Sequence, residues 1–156
     1  EEFPGALDHV GILYGDLATF VLHAPELTTI TTRDRLRASL VEFSASVTDS
    51  LMQPEAVALV RLVLGEAFRV DELRAAFRDA LPAQMLKRTE AILRHAVAEG
   101  LIASGDPALA TRMFVGPLMT YVALDGFLSV EPSPPPSRVE LEHLVDAFLA
   151  TVEVPA

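Results

Sequence analysis

The chain has 156 residues, 51% of them hydrophobic, with a mean hydropathy of +0.35 and a formal net charge of −10. That length fits one domain with a sizeable core, and the apolar excess points to surface buried against a second copy or around an apolar cavity. The acidic balance excludes a DNA-binding surface on these residues, because it repels nucleic-acid phosphates.

No membrane contact is expected. The longest apolar tract, Met113 to Leu124, is broken by Gly116, Pro117 and Thr120 and falls short of the roughly 20 residues that cross a bilayer. The start, Glu1-Glu2-Phe3-Pro4, has neither the basic nor the apolar region of a secretory signal. It also lacks an initiator Met, which fits a fragment. There is no Cys, so disulfide and thiolate chemistry are excluded and a cytoplasmic location is expected.

The whole chain reads as helix. A first helix is predicted from Pro4 to Leu22, with Leu7, Val10, Leu13, Leu17 and Val21 in one apolar stripe. His23 to Thr32 reads as a loop, and Thr31 with Asp34 as the cap of a second helix ending near Met52. Leu36, Leu40, Phe43, Val47 and Leu51 form its inner face. Pro54 opens a third helix, whose Val57, Leu59, Val60, Leu62, Val63, Leu64 and Phe68 surround the wheel. That pattern predicts burial on every side. Asp71 is expected to cap a short helix carrying Leu73, Phe77 and Leu81.

Pro82 starts the next helix, which ends at Gly100 in the left-handed position that glycine favours. Asp106-Pro107 is a cap followed by proline in the first turn. The long helix it opens runs to about Leu128, with a kink expected at Pro117, where proline leaves the Met113 carbonyl unbonded. Ser129 to Pro136 is a stiff Pro-rich connection. Ser137 and Glu140 form a capping box for a last helix with Leu141, Leu144, Val145, Phe148, Leu149 and Val152 on one face.

A search for catalytic chemistry is mostly negative. There is no nucleophile elbow, phosphate-binding glycine loop or paired-His zinc motif, and His9, His23, His95 and His143 lack helical ligand spacing. Glu140-Leu141-Glu142-His143 holds one Glu-x-x-His, but a di-metal bundle needs two copies. No metal, cofactor or catalytic residue is therefore expected. Arg61 and Glu66 interrupt the most apolar helix. They either pair outward or orient a ligand's polar group.

The phrase PEAVALVRLVLGEAFRVDELRAAF, Pro54 to Phe77, resembles the middle of the regulatory domain in the TetR family, particularly its AefR-like members. AVAEGLIASGDPALATRMFVG, Ala96 to Gly116, resembles that family's turn into the long dimerisation helix, and EEFPGALDHV the residues just after its DNA-reading helix. The resemblance implies an all-α bundle of about six helices forming one domain over residues 1–156, with the N-terminal helix-turn-helix absent from this chain. It implies a homodimer through the last two long helices, so Leu141, Leu144, Val145, Phe148, Leu149 and Val152 are expected at the interface. It implies a repressor, not an enzyme, that senses a small molecule and reaches DNA only through the missing unit.

The expected pocket is apolar and lies among the helix from Pro54, the helix from Pro82 and the long helix near Pro117. Its candidate residues are Arg61, Glu66, Phe68, Phe77, Met85, His95, Met113, Phe114 and Tyr121, and the ligand is expected to be small and lipophilic. The other readings are a small helical enzyme or metal-binding bundle, and a dimerisation module without a ligand.

Overall fold

The computed structural model describes residues 25–103 and 105–152, and every regular element among them is helical. A 3-10 turn at Leu27–Thr29 precedes α1 (Arg33–Leu51), α2 (Pro54–Ala67), α3 (Asp71–Ala80), α4 (Pro82–Ala98) and α5 (Pro107–Thr120). The helix α5 continues as a π-helical segment, Tyr121–Phe127, and α6 (Arg138–Thr151) follows. The helix predicted from Pro4 to Leu22 lies outside the described residues.

Local capping sets several boundaries. The α1 cap is Thr32, whose hydroxyl accepts from the Arg35 N–H, so the boundary is one residue later than the expected Thr31 pair. Asp106 accepts from the amides of Ala108 and Leu109 at the start of α5. At α6 the reciprocal box is present. Glu140 accepts from the Ser137 amide at 2.8 Å, and Ser137 Oγ accepts from the Glu140 amide at 3.3 Å. Gly100 ends α4 at φ +69°. Its own N–H bonds to the Val97 carbonyl and that of Leu101 to the Ala96 carbonyl, the two bonds of a glycine-terminated helix. Asp71 is not a cap. Val70 holds that position, and the Asp71 carboxylate pairs with Arg74 one turn on, at 2.6 Å.

The core is built where α1, α5 and α6 meet. The predicted face of α1 is buried in full: Leu36, Leu40, Phe43, Val47 and Leu51. Phe114 of α5 is fully enclosed, with ring centroids 6.5 Å from Phe43 and 5.1 Å from Phe148. The helix α4 lies along α5, and α1 along α6.

Two further expectations need correction. The helix α2 is not buried on all sides. Ala56, Val57, Val60, Val63 and Ala67 face inward, while Leu62 is 62% exposed among the described residues. Apolar side chains all round a helix do not by themselves supply neighbours all round it. The long helix stays α-helical through Pro117, and its irregularity comes later. Thr120 Oγ1 donates to the Pro117 carbonyl, the Tyr121 amide reaches back only to Leu118, and the turns widen over 121–127. The missing proline N–H costs one bond, which the helix tolerates, and the change of register falls downstream.

Candidate functional site

The structure does not gather the nine candidate ligand residues. Phe114 and Met85 are core, and Phe77, His95 and Tyr121 are half-buried. Arg61, Glu66, Phe68 and Met113 are exposed. Phe77 and Tyr121 pack on the core edge. His95 uses Nε2 to donate to the Ile30 carbonyl at 3.0 Å, which ties α4 to the chain ahead of α1.

Three cavities among the described residues border these side chains. One, of about 260 Å³, opens between α4 and α5 and is lined by Met85, Leu86, Arg112, Val115 and Met119 among others. A second, of about 150 Å³, touches Met113 near the turn between the same helices. The third is the largest, at about 450 Å³. It lies between Met52–Arg61 and the Pro132–Pro135 segment. None spans α2, α4 and α5 together as the sequence suggested, and Phe114 packs solid in the middle of the bundle. The sequence reading missed Met52, Ala58 and the prolines of the third cavity. Only the Pro-rich run itself gave a signal.

Arg61 is the polar residue with the most informative contacts. Its Nε donates to the Phe127 carbonyl at 2.8 Å, and its Nη2 donates to the Ser129 carbonyl. These carbonyls end the π segment, so the guanidinium serves as a cationic cap from another helix. Gly126 is buried beside this contact, and a Cβ there would meet Met52 Cγ at 3.8 Å and Val57 Cγ2 at 4.0 Å, ordinary contact distances that leave room for it. Of the two readings of Arg61, the outward pairing is therefore real, and the side chain also borders a cavity. Glu66 is exposed and borders none of the three.

The six residues proposed for dimerisation sit differently from the expectation. Leu141, Val145, Phe148 and Leu149 are buried inside the protomer, and Leu144 and Val152 are half-buried against the same core. Their face is taken by α1 and α5. The exposed large apolar residues from α5 onward within these helices and at their ends are Leu109, Met113, Leu124, Leu128 and Val139, at 44 to 65%. They lie off the predicted stripe, which is why its period did not reveal them.

Ion pairs hold α6 to α1. Arg37 pairs with Asp146 at 2.5 Å, and Arg138 with Glu42 at 2.6 Å. The hydrogen bond from Arg37, then its charge and that of His143, hold the Asp146 carboxyl below its usual range. The Ser137 hydroxyl and amide do the same for Glu140. Among the described residues no group of His, Asp and Glu is placed to hold a metal, and no helix is long and apolar enough to cross a membrane.

The described helices form one bundle in which α4 lies along α5 and α1 along α6, around a shared apolar core. A crystal structure from Mesorhizobium loti MAFF303099, described as a TetR-family transcriptional regulator, shares this fold. Its TM-score is 0.66 at 24% identity, over 95% of this chain and 71% of that one. Residues 38–152 match the AefR-like transcriptional repressor C-terminal domain, and the chain belongs to that family. No curated protein sequence matches it.

Proposed function

We propose that the chain is the sensing and dimerising domain of a TetR-type transcriptional repressor, acting in the cytoplasm as a homodimer. In this reading a small lipophilic effector binds the domain, and DNA is contacted only by a helix-turn-helix unit of the parent protein. The observation that carries it is the set of exposed apolar side chains on α5, its π-helical continuation and α6: Leu109, Met113, Leu124, Leu128 and Val139. Exposed apolar surface of that extent is what a two-fold mate covers. An effector acts by binding one dimer geometry better than another; equal affinity shifts nothing.

Light scattering at micromolar concentration tests the reading. The expected mass is that of a dimer. Leu124→Asp places an unpaired carboxylate in the apolar contact, at a cost of several kcal/mol. It should give a monomer with unchanged helical circular dichroism. A monomeric unaltered chain, or a Leu124→Asp variant that stays dimeric, overturns the proposed interface.

A further inference from the structure

We propose that the cavity between the start of α2 and the Pro132–Pro135 segment binds a lipophilic anion, with Arg61 as its anchor. Its volume of about 450 Å³ lies within the range of small-molecule sites. The walls are Met52, Val57, Ala58 and the rings of Pro54, Pro132, Pro134 and Pro135, with Gln53 and Ser133 as neutral polar groups. Proline rings are rigid and apolar, so these walls are preformed and suit a flat hydrocarbon body. Arg61 is the sole charged residue among those that line the cavity. Glu55 and Glu131, its acidic neighbours in sequence, are not among them.

The anchor is also held in place. Two of the five guanidinium N–H donors are committed to the Phe127 and Ser129 carbonyls. The others remain for an acceptor. A guanidinium fixed in this way has lost its rotamer entropy before a ligand arrives, which favours binding. Its planar donor array matches a carboxylate better than a lone acceptor atom. Any ligand seated here also rests on the connection that ends the long helix. The site thus gives the proposed sensing role a location, although its test reads binding alone and is separate from the dimer measurement.

The test titrates the full chain with 2-naphthoate and, in parallel, with the neutral isostere 2-naphthalenemethanol, followed by amide chemical shifts. Saturable naphthoate binding is expected, with shifts centred on residues 52–61 and 132–135. The alcohol should bind at least tenfold more weakly. Arg61→Gln should cost naphthoate at least tenfold and bring its affinity down to that of the alcohol. Because Arg61 also holds the connection, Ala58→Phe provides a second variant. It fills the cavity with the guanidinium contacts intact and should abolish binding of both probes. The proposal is overturned by any of four results: no saturation by naphthoate, equal affinity for the two probes, shifts centred on the Met85–Met119 cleft, or Ala58→Phe binding as the parent does.

Discussion

Replacing Phe114 with Ala separates a core role from a ligand-wall role. The ring is 0% exposed and touches two others, with centroids 6.5 and 5.1 Å away. Truncating a buried Phe costs about 3–5 kcal/mol, and each aromatic pair adds about 0.5–1.5 kcal/mol beyond burial. Full enclosure and two partners place Phe114 near the upper end, at about 4–5 kcal/mol. Domain stabilities are about 5–15 kcal/mol, so the variant should be marginally folded. With a urea dependence of about 2 kcal/mol per molar, the unfolding midpoint should fall by about 2 M. The measurement is urea denaturation at one fixed protein concentration, since dimerisation would otherwise shift the midpoint. Phe68→Ala is the control: at 77% exposure it should change stability by no more than about 0.5 kcal/mol. A midpoint loss for Phe114→Ala below about 0.5 M would refute the packing account. It would mean that the ring borders empty space, as the side chain of a pocket wall does.

Phe148→Asp should unfold the protomer rather than split a dimer, because its ring packs at a tilt against Phe114 inside the chain; a folded monomer by circular dichroism and light scattering would contradict this. Ser137→Ala should cost about 1 kcal/mol through loss of the α6 cap, read as a lower thermal midpoint. Gly100→Ala forces a side chain into the left-handed region at φ +69° and should cost about 1–2 kcal/mol by the same measurement. The Asp146 and Glu140 carboxyls have lowered pKa values in the folded chain. The stability they give is present above the ordinary carboxylate pKa and is lost as pH falls through the lowered values. Asp146→Asn with Glu140→Gln should therefore flatten the acid side of the stability profile; an unchanged slope would show that neither pairing matters.

The parts of the fold legible in the sequence are those with local causes. Asp106, Ser137 with Glu140, and Gly100 each act within four residues, and each stands where expected. The α1 boundary moved by one residue because Thr31 and Thr32 offer the same hydroxyl, and only backbone geometry chooses between them. The inward face of α6 was visible as a stripe, but a stripe does not say whether it meets its own core or a second copy. That is why Phe148 and Leu149 were expected at an interface although they are buried within the protomer. The largest cavity was illegible for a different reason: Arg61 and Pro132 are brought together only by the tertiary path of the chain, and no spacing encodes that meeting. The polar anchor was nevertheless readable as a residue type, since an Arg amid apolar neighbours needs a partner. Its partners, two carbonyls more than sixty residues away, were not.

The segment Tyr121–Phe127 ends the regular pitch of the long helix, and at Gly126 the backbone leaves helical geometry altogether, with φ −100° and ψ −105°. In a regular α-helix each residue advances about 100°, so the facing of every side chain depends on the count of residues before it. Beyond Gly126 that dependence is broken. Single-residue insertions and deletions are therefore not equivalent along this helix. Removing one residue between Thr111 and Thr120 turns the buried side chains on one side of the gap by about 100° against those on the other. Removing one between Tyr121 and Phe127 falls where the regular count has already lapsed. Length variation in homologous chains should accordingly collect in that seven-residue stretch.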